Sequence, residues 1–227
     1  MAASQFSDGL VTKILALISV LVFVITLLTG LDGVAAYAGG FIPARVADPG
    51  LLDGAGLGLP VVPLLLTPIT STFLHGGWLH LIFNMMMLFF CGRQVEMVLG
   101  GRLLIVLYAV GAYAAAAGQW MLEPDVMVPM IGASGAISAI IGAYALLFSN
   151  NDVRPLGPVP AYVVRMIWLG AGWITLQFLI GYASGLDSQS LTGGSDGIAI
   201  GAHMGGFIAG MLLVRPLLKV RFRRNPL

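Results

Sequence analysis

From Ile14 to Leu31 the chain runs without a charge and is rich in Leu, Ile and Val. At about 1.5 Å per residue, a helix over this run is long enough to cross a hydrocarbon core of ~30 Å. The apolar stretches that follow are too many for a soluble fold of this length to hide. Composition says the same: 58% of residues are hydrophobic and 9% charged, against roughly 25% charged in ordinary soluble domains. Mean hydropathy is +0.95. The chain is therefore expected to be an all-α integral membrane protein, of a length that suits one helical bundle. The first apolar run is not followed by a small-residue cleavage site, so no cleavable signal is expected. A single cysteine, Cys91, excludes an internal disulfide and any Cys-x-x-Cys site. Neither a cofactor nor a metal is expected, and a net charge of +1 gives no reason to look for nucleic acid.

Taken in order, the sequence predicts six spanning helices: Ile14 to Leu31, Trp78 to Gly92, Leu103 to Met121, Ser134 to Phe148, Tyr162 to Tyr182 and Ile200 to Leu213. Between the first two, Asp32 to Thr67 carries Pro43, Pro49, Pro60 and Pro63 and many glycines. It is too interrupted for one span and, over Leu51–Leu66, too apolar for a solvated loop. It reads as a long structured loop partly resting on the bilayer. The membrane domain covers residues 13–218, flanked by a short cytosolic segment 1–12 and a basic cytosolic tail 219–227. With six crossings, every Lys and Arg except Arg45, of the 11 present, falls on the side that holds both termini. Asp32, Asp48, Asp53, Glu123, Asp125, Asp187 and Asp196 fall on the other. The positive-inside rule then puts the termini in the cytosol. The short tails suit a bacterial inner membrane.

Three polar clusters fall at one depth. His80 and Asn84 begin the second helix, Ser134 the fourth and His203 the sixth, and all three helices start on the extracytoplasmic side. The fourth is short, roughly 21 Å against a core of about 30 Å, so Ser134 would lie in a recess reached by water from outside. Gly135, Ala139 and Gly142–Ala143 on the fourth helix, and Gly201/Gly205 and Gly206/Gly210 on the sixth, permit close approach. That approach would bring the His203 ring to Ser134. An isolated membrane histidine often only packs or relays protons, and an isolated serine often bonds to its own helix. Together they suggest a serine activated by a neutral imidazole. The Ser134 N–H, the His80 ring and the Asn84 amide could receive the developing oxyanion, since His80 and Asn84 share a helix face.

At these residues the sequence resembles the rhomboid family of intramembrane serine proteases, in its bacterial six-helix form. The likeness runs from about His75 to Gly210. It rests on His80-x-x-x-Asn84, Gly132-Ala133-Ser134-Gly135, Ala202-His203-Met204-Gly205-Gly206 and the turn Glu96-Met97-Val98-Leu99-Gly100. The resemblance implies a rhomboid-like bundle and a Ser134–His203 dyad with no acidic third member. It also implies an oxyanion site at Ser134, His80 and Asn84, and a first loop lying in the outer leaflet. Substrates would be single-spanning membrane proteins cut near their extracytoplasmic ends, and membrane lipid would be the other partner. About Tyr182 to Ala199 would cap the site, with the fifth helix bordering substrate entry. One departure is Ser138, where many members carry an aromatic residue that packs on the catalytic histidine.

Nearby polar residues read as structural. His75, five residues before His80, would lie on a different helix face and serve as a hydrogen bonder. Asp196 is expected in water, Cys91 to be inert, and Glu96 with Arg102 to tie the cytosolic turn. A zinc protease would want His-Glu-x-x-His, which is absent. An aspartyl intramembrane protease needs mid-span acids, and the acids here lie outside the spans. A small-solute transporter finds no inverted repeat or mid-helix break. The remaining alternative is a non-catalytic rhomboid-like protein that binds or escorts membrane helices.

Overall fold

A computed structural model describes residues 9–54, 56–148, 153–187 and 199–224. Within them α1 spans Leu10–Thr29, α2 Asp32–Gly39, α3 Trp78–Leu99, α4 Gly101–Leu122, α5 Ser134–Phe148, α6 Ala161–Asp187 and α7 Ile200–Arg224. Each helix expected from the sequence is present, and no strand occurs among the described residues. By length and composition α1, α3, α4 and α7 can cross a membrane. The chain is a multi-pass integral membrane protein. Helix α5 has 15 residues, about 22 Å at the α-helical rise.

Two boundaries differ from expectation. Helix α3 does not stop at Gly92; it passes through a π-helical turn at Leu88–Gly92 and ends at Gly100, whose φ of +84° lets the chain reverse into α4. Helix α7 continues beyond Leu213 to Arg224 and carries Pro216 inside it. The first part of the basic tail is thus helical. Hydropathy falls once Arg and Lys begin, but the helix does not need apolar side chains after it leaves the hydrocarbon.

The long loop has structure of its own. Besides α2 it holds a 3₁₀ turn at Pro43–Val46 and an apolar helical stretch at Leu64–Phe73. Its backbone groups find partners across the molecule, as buried polar groups must. Thr70 Oγ1 donates to the Gly39 carbonyl at 2.6 Å, and the Tyr113 hydroxyl of α4 donates to the Leu65 carbonyl at 2.7 Å. Leu65 and Leu66 are exposed, as befits a segment that meets lipid. Residue Glu96, expected with Arg102 to tie the cytosolic turn, also reaches α1. Fully buried, its carboxylate accepts the Val11 and Thr12 N–H groups at 3.0 and 2.9 Å and the Thr12 hydroxyl at 2.7 Å. It caps N–H groups that the first helical turn leaves without intrahelical partners.

The centre is α7 packed between α4 and α5. A Cβ placed on Gly206 or Gly210 would overlap the carbonyl oxygens of Gly135 and Ala139 on α5. One placed on Gly201 or Gly205 would overlap those of Gly118 and Ala114 on α4. The two small-residue pairs thus face different helices, and α7 touches both backbone to backbone. Ala136, Ala139, Ile140 and Ala143 complete the α5 side of this core.

Candidate active site

The residues before α5 are held in extended form by the first loop. Phe41 and Met130 exchange two backbone hydrogen bonds, at 3.1 and 2.7 Å, and Ala44 N–H donates to Val126 at 3.1 Å. Gly132 N–H then donates to the Ser71 carbonyl at 2.9 Å, and the first α5 bond runs from Ile137 N–H to Ala133. Gly132 has φ +112°, and an added Cβ would lie about 2.5 Å from Nε2 of His80. The imidazole of α3 is therefore seated directly on the backbone that leads into Ser134. Only glycine satisfies both the dihedral and the contact.

Ser134 is the first residue of α5, where backbone N–H groups lack intrahelical acceptors. Its Oγ lies 2.9 Å from Nε2 of His203 on α7. Ser134, His80 and His203 are all half-buried. Nδ1 of His203 is buried and has no hydrogen-bond partner among the described residues. Asp196, expected in water, and the other positions from 188 to 198 of the expected cap lie outside those residues. Ser138 does not approach the imidazole through an aromatic ring. It is buried, and its hydroxyl donates to the Ser134 carbonyl at 2.8 Å, a bond along its own helix.

Asn84 is buried one turn below His80, and its Nδ2 donates to the His80 carbonyl at 2.8 Å. One amide hydrogen is thus committed to α3 itself, and the second is what the group has for a ligand. His75 is a hydrogen bonder as expected, its Nδ1 lying 3.4 Å from the Phe73 carbonyl oxygen, but it departs from expectation in its place beside His80. Its ring meets His80 edge to face, with centroids 5.2 Å apart and planes at 68°. Helical periodicity does not separate the two because α3 begins only at Trp78, after an extended Gly77. Cys91 is buried in the π-helical turn.

One residue near the site went unnoticed in the sequence. Gln119 of α4 is buried, and its Oε1 accepts the Ala202 N–H at 3.3 Å while its Nε2 donates to Glu123 at 2.6 Å. It holds the first turn of α7 beside His203. The available signal was an amide within an otherwise apolar helix, where a polar group needs a partner.

The sequence model of the Rhomboid domain family matches residues 64–220. The chain belongs to the rhomboid family. Among relatives, YdcA of Bacillus subtilis (strain 168), provisionally named as a rhomboid protease, is 30% identical over 124 residues, covering 52% of this chain and 62% of YdcA. RHOMBOID-like protein 5 of Arabidopsis thaliana is 26% identical over 153 residues, 65% of this chain and 44% of that protein. The rhomboid protease GlpG of Yersinia pestis (strain Pestoides F) is 28% identical over 146 residues, 64% of this chain and 45% of GlpG. The matched part thus spans about half the length of these relatives.

Proposed function

We propose that this rhomboid protein is an intramembrane serine endopeptidase that cleaves transmembrane segments of membrane proteins near their extracytoplasmic ends. The observation that carries the reading is the 2.9 Å separation of Ser134 Oγ and His203 Nε2, across two helices 69 positions apart in sequence. Support also comes from relatives named as rhomboid proteases.

In this mechanism His203 is neutral, with its proton on Nδ1, and Nε2 accepts the Ser134 hydroxyl proton as Oγ bonds to the scissile carbonyl carbon. The carbonyl π pair moves onto oxygen. That oxyanion is met by the Ser134 N–H, by the His80 ring and by the second Asn84 amide hydrogen. One such donor is worth roughly 2.7–4 kcal/mol in related hydrolases. The C–N bond then breaks, the nitrogen taking the Nε2 proton, and an acyl-Ser134 ester remains. Water adds to the ester carbonyl while giving a proton to Nε2. The tetrahedral species expels Ser134 Oγ, which recovers that proton, and the acid product leaves. A substrate helix must unwind locally for its carbonyl to reach Ser134, so helix-breaking residues near the cut should help.

A fluorophosphonate probe tests this without knowledge of the substrate. The purified protein is expected to be labelled at Ser134, and Ser134→Ala to lose the label while keeping its unfolding midpoint. His203→Ala should lower labelling and cleavage of a model transmembrane substrate by at least about a thousandfold. Full cleavage by Ser134→Ala would sink Ser134 as the nucleophile, whereas neither labelling nor cleavage by the folded wild-type protein would leave a protein that binds or escorts membrane helices.

A further inference from the structure

The His80 ring touches two neighbours that one short segment holds in register. Its tip meets the backbone that leads into Ser134: a Cβ built on Gly132 would lie 2.5 Å from Nε2 and 2.7 Å from Cε1. It also meets the His75 ring, with centroids 5.2 Å apart and planes at 68°, the edge-to-face arrangement that flat rings favour. Both neighbours are tied to the end of the apolar stretch Leu64–Phe73. The Ser71 carbonyl accepts the Gly132 N–H at 2.9 Å, and the Phe73 carbonyl oxygen lies 3.4 Å from His75 Nδ1.

The two contacts restrain different motions. Gly132 touches the tip of the imidazole, which limits how far the ring reaches but leaves it able to turn about its Cβ–Cγ bond. That torsion joins an sp³ to an sp² carbon and has broad preferences, so the backbone of α3 does not set the ring plane by itself. A second ring packed edge to face restricts the turn. The His75 ring is suited to this because it is 5% exposed and has no room to swing aside into solvent. A donor helps an oxyanion most when it is aimed before the charge develops. The plane of the imidazole decides where its N–H points.

We propose that His75 is a positioning residue for the oxyanion donor: its ring sets the plane of the His80 imidazole and so aims the His80 N–H. The proposal rests on the reading of Ser134 as nucleophile and His80 as donor, and adds to it the residue that orients the donor. His75 acts through the flat shape of its ring, not through its proton. It therefore affects the step in which charge develops on the carbonyl oxygen, and leaves the binding of a substrate helix nearly as it was.

The test uses the full chain in liposomes with a model transmembrane substrate, and a thermal ramp checks that each variant folds. His75→Ala should lower kcat by about tenfold or more while KM changes less than about twofold, since removing an oxyanion donor outright costs about 10²–10³. His75→Phe keeps a flat ring without nitrogen and should recover kcat to within about threefold of wild type. In a His80→Ala background, His75→Ala should lower the residual rate less than about twofold, because no donor is left to aim. Should His75→Ala not fold, His75→Leu decides, since it fills the space without a plane and should lose kcat in the same way. Wild-type kcat in folded His75→Ala or His75→Leu would overturn the proposal. So would an equal loss in His75→Phe, which would point to a nitrogen, or an equal loss in the His80→Ala background. Each of these outcomes occurs with an active wild type labelled at Ser134 and leaves the protease reading standing, whereas a folded wild type that neither cleaves nor labels removes that reading and this role with it.

Discussion

His75 shows how a single side chain can be read wrongly from its spacing. Counted along a helix it stands away from His80, but it precedes the helix and its ring packs on His80. It lies before the first residue of α3, is almost fully buried, and its Nε2 has no hydrogen-bond partner among the described residues. Burial, with a smaller contribution from the charge His80 can carry, pushes its pKa down to about 4; the Phe73 carbonyl opposes the shift. A base depressed in this way stays neutral in the folded protein while the unfolded chain takes up a proton near pH 6.5. Its contribution to stability is therefore complete above about pH 6.5 and is lost as pH falls toward about 4, at no more than ~1.4 kcal/mol per pH unit for one proton. His75→Gln, neutral throughout, should give a flatter profile of unfolding midpoint against pH over that window. An unchanged slope in the variant would remove His75 as its source. At the same scale, Gly132 was legible as a motif glycine, but its reason, the His80 ring against its Cα, was not.

At the scale of elements, the helices were read well and their neighbours less so. Apolar runs with flanking charges locate a helix, because burial of side chains in lipid is a local property. Which face of α7 meets which neighbour is not local. Gly206 and Gly210 were assigned to α5 correctly, while Gly201 and Gly205 proved to lie against α4. A side chain at Gly210 has nowhere to go, since the Ala139 carbonyl occupies the place of its Cβ. Gly210→Leu should cost at least about 1–3 kcal/mol, because backbone rather than a flexible side chain must move. Because α5 and α7 would separate there, labelling of Ser134 should fall as well. Chemical denaturation in mixed micelles measures the first and the fluorophosphonate probe the second. A variant of wild-type stability would mean that the contact is looser than it stands here. The unexpected reach of Glu96 to the start of α1 has the same origin: a carboxylate seeks whichever buried donors the fold brings near.

For the whole molecule, we propose an orientation from charge. Arg45 apart, every Lys and Arg belongs to one end of the bundle in a six-crossing reading, which the positive-inside rule assigns to the cytosol. Exposed Asp125 precedes α5 and exposed Lys219 lies near the end of α7, so they report on opposite faces. Asp125→Cys is expected to react with a membrane-impermeant maleimide added to intact cells, and Lys219→Cys only after permeabilisation. Cys91 is buried and gives little background. The reverse pattern would invert the protein and with it the side from which Ser134 is reached.

By itself the sequence determined that this chain lives in a membrane, where its helices run, and that Ser134, His203, His80 and Asn84 lie near the starts of three of them. These follow from hydropathy, charge and spacing, which are written along the chain. Tertiary structure alone decided that Ser134 and His203 stand 2.9 Å apart, that Asn84 bonds back to His80, and that Gln119 holds the turn carrying His203. Such distances depend on how glycine and alanine faces from remote segments lock together. A change of one methyl group at that contact resets them while leaving every local pattern in the sequence as it was.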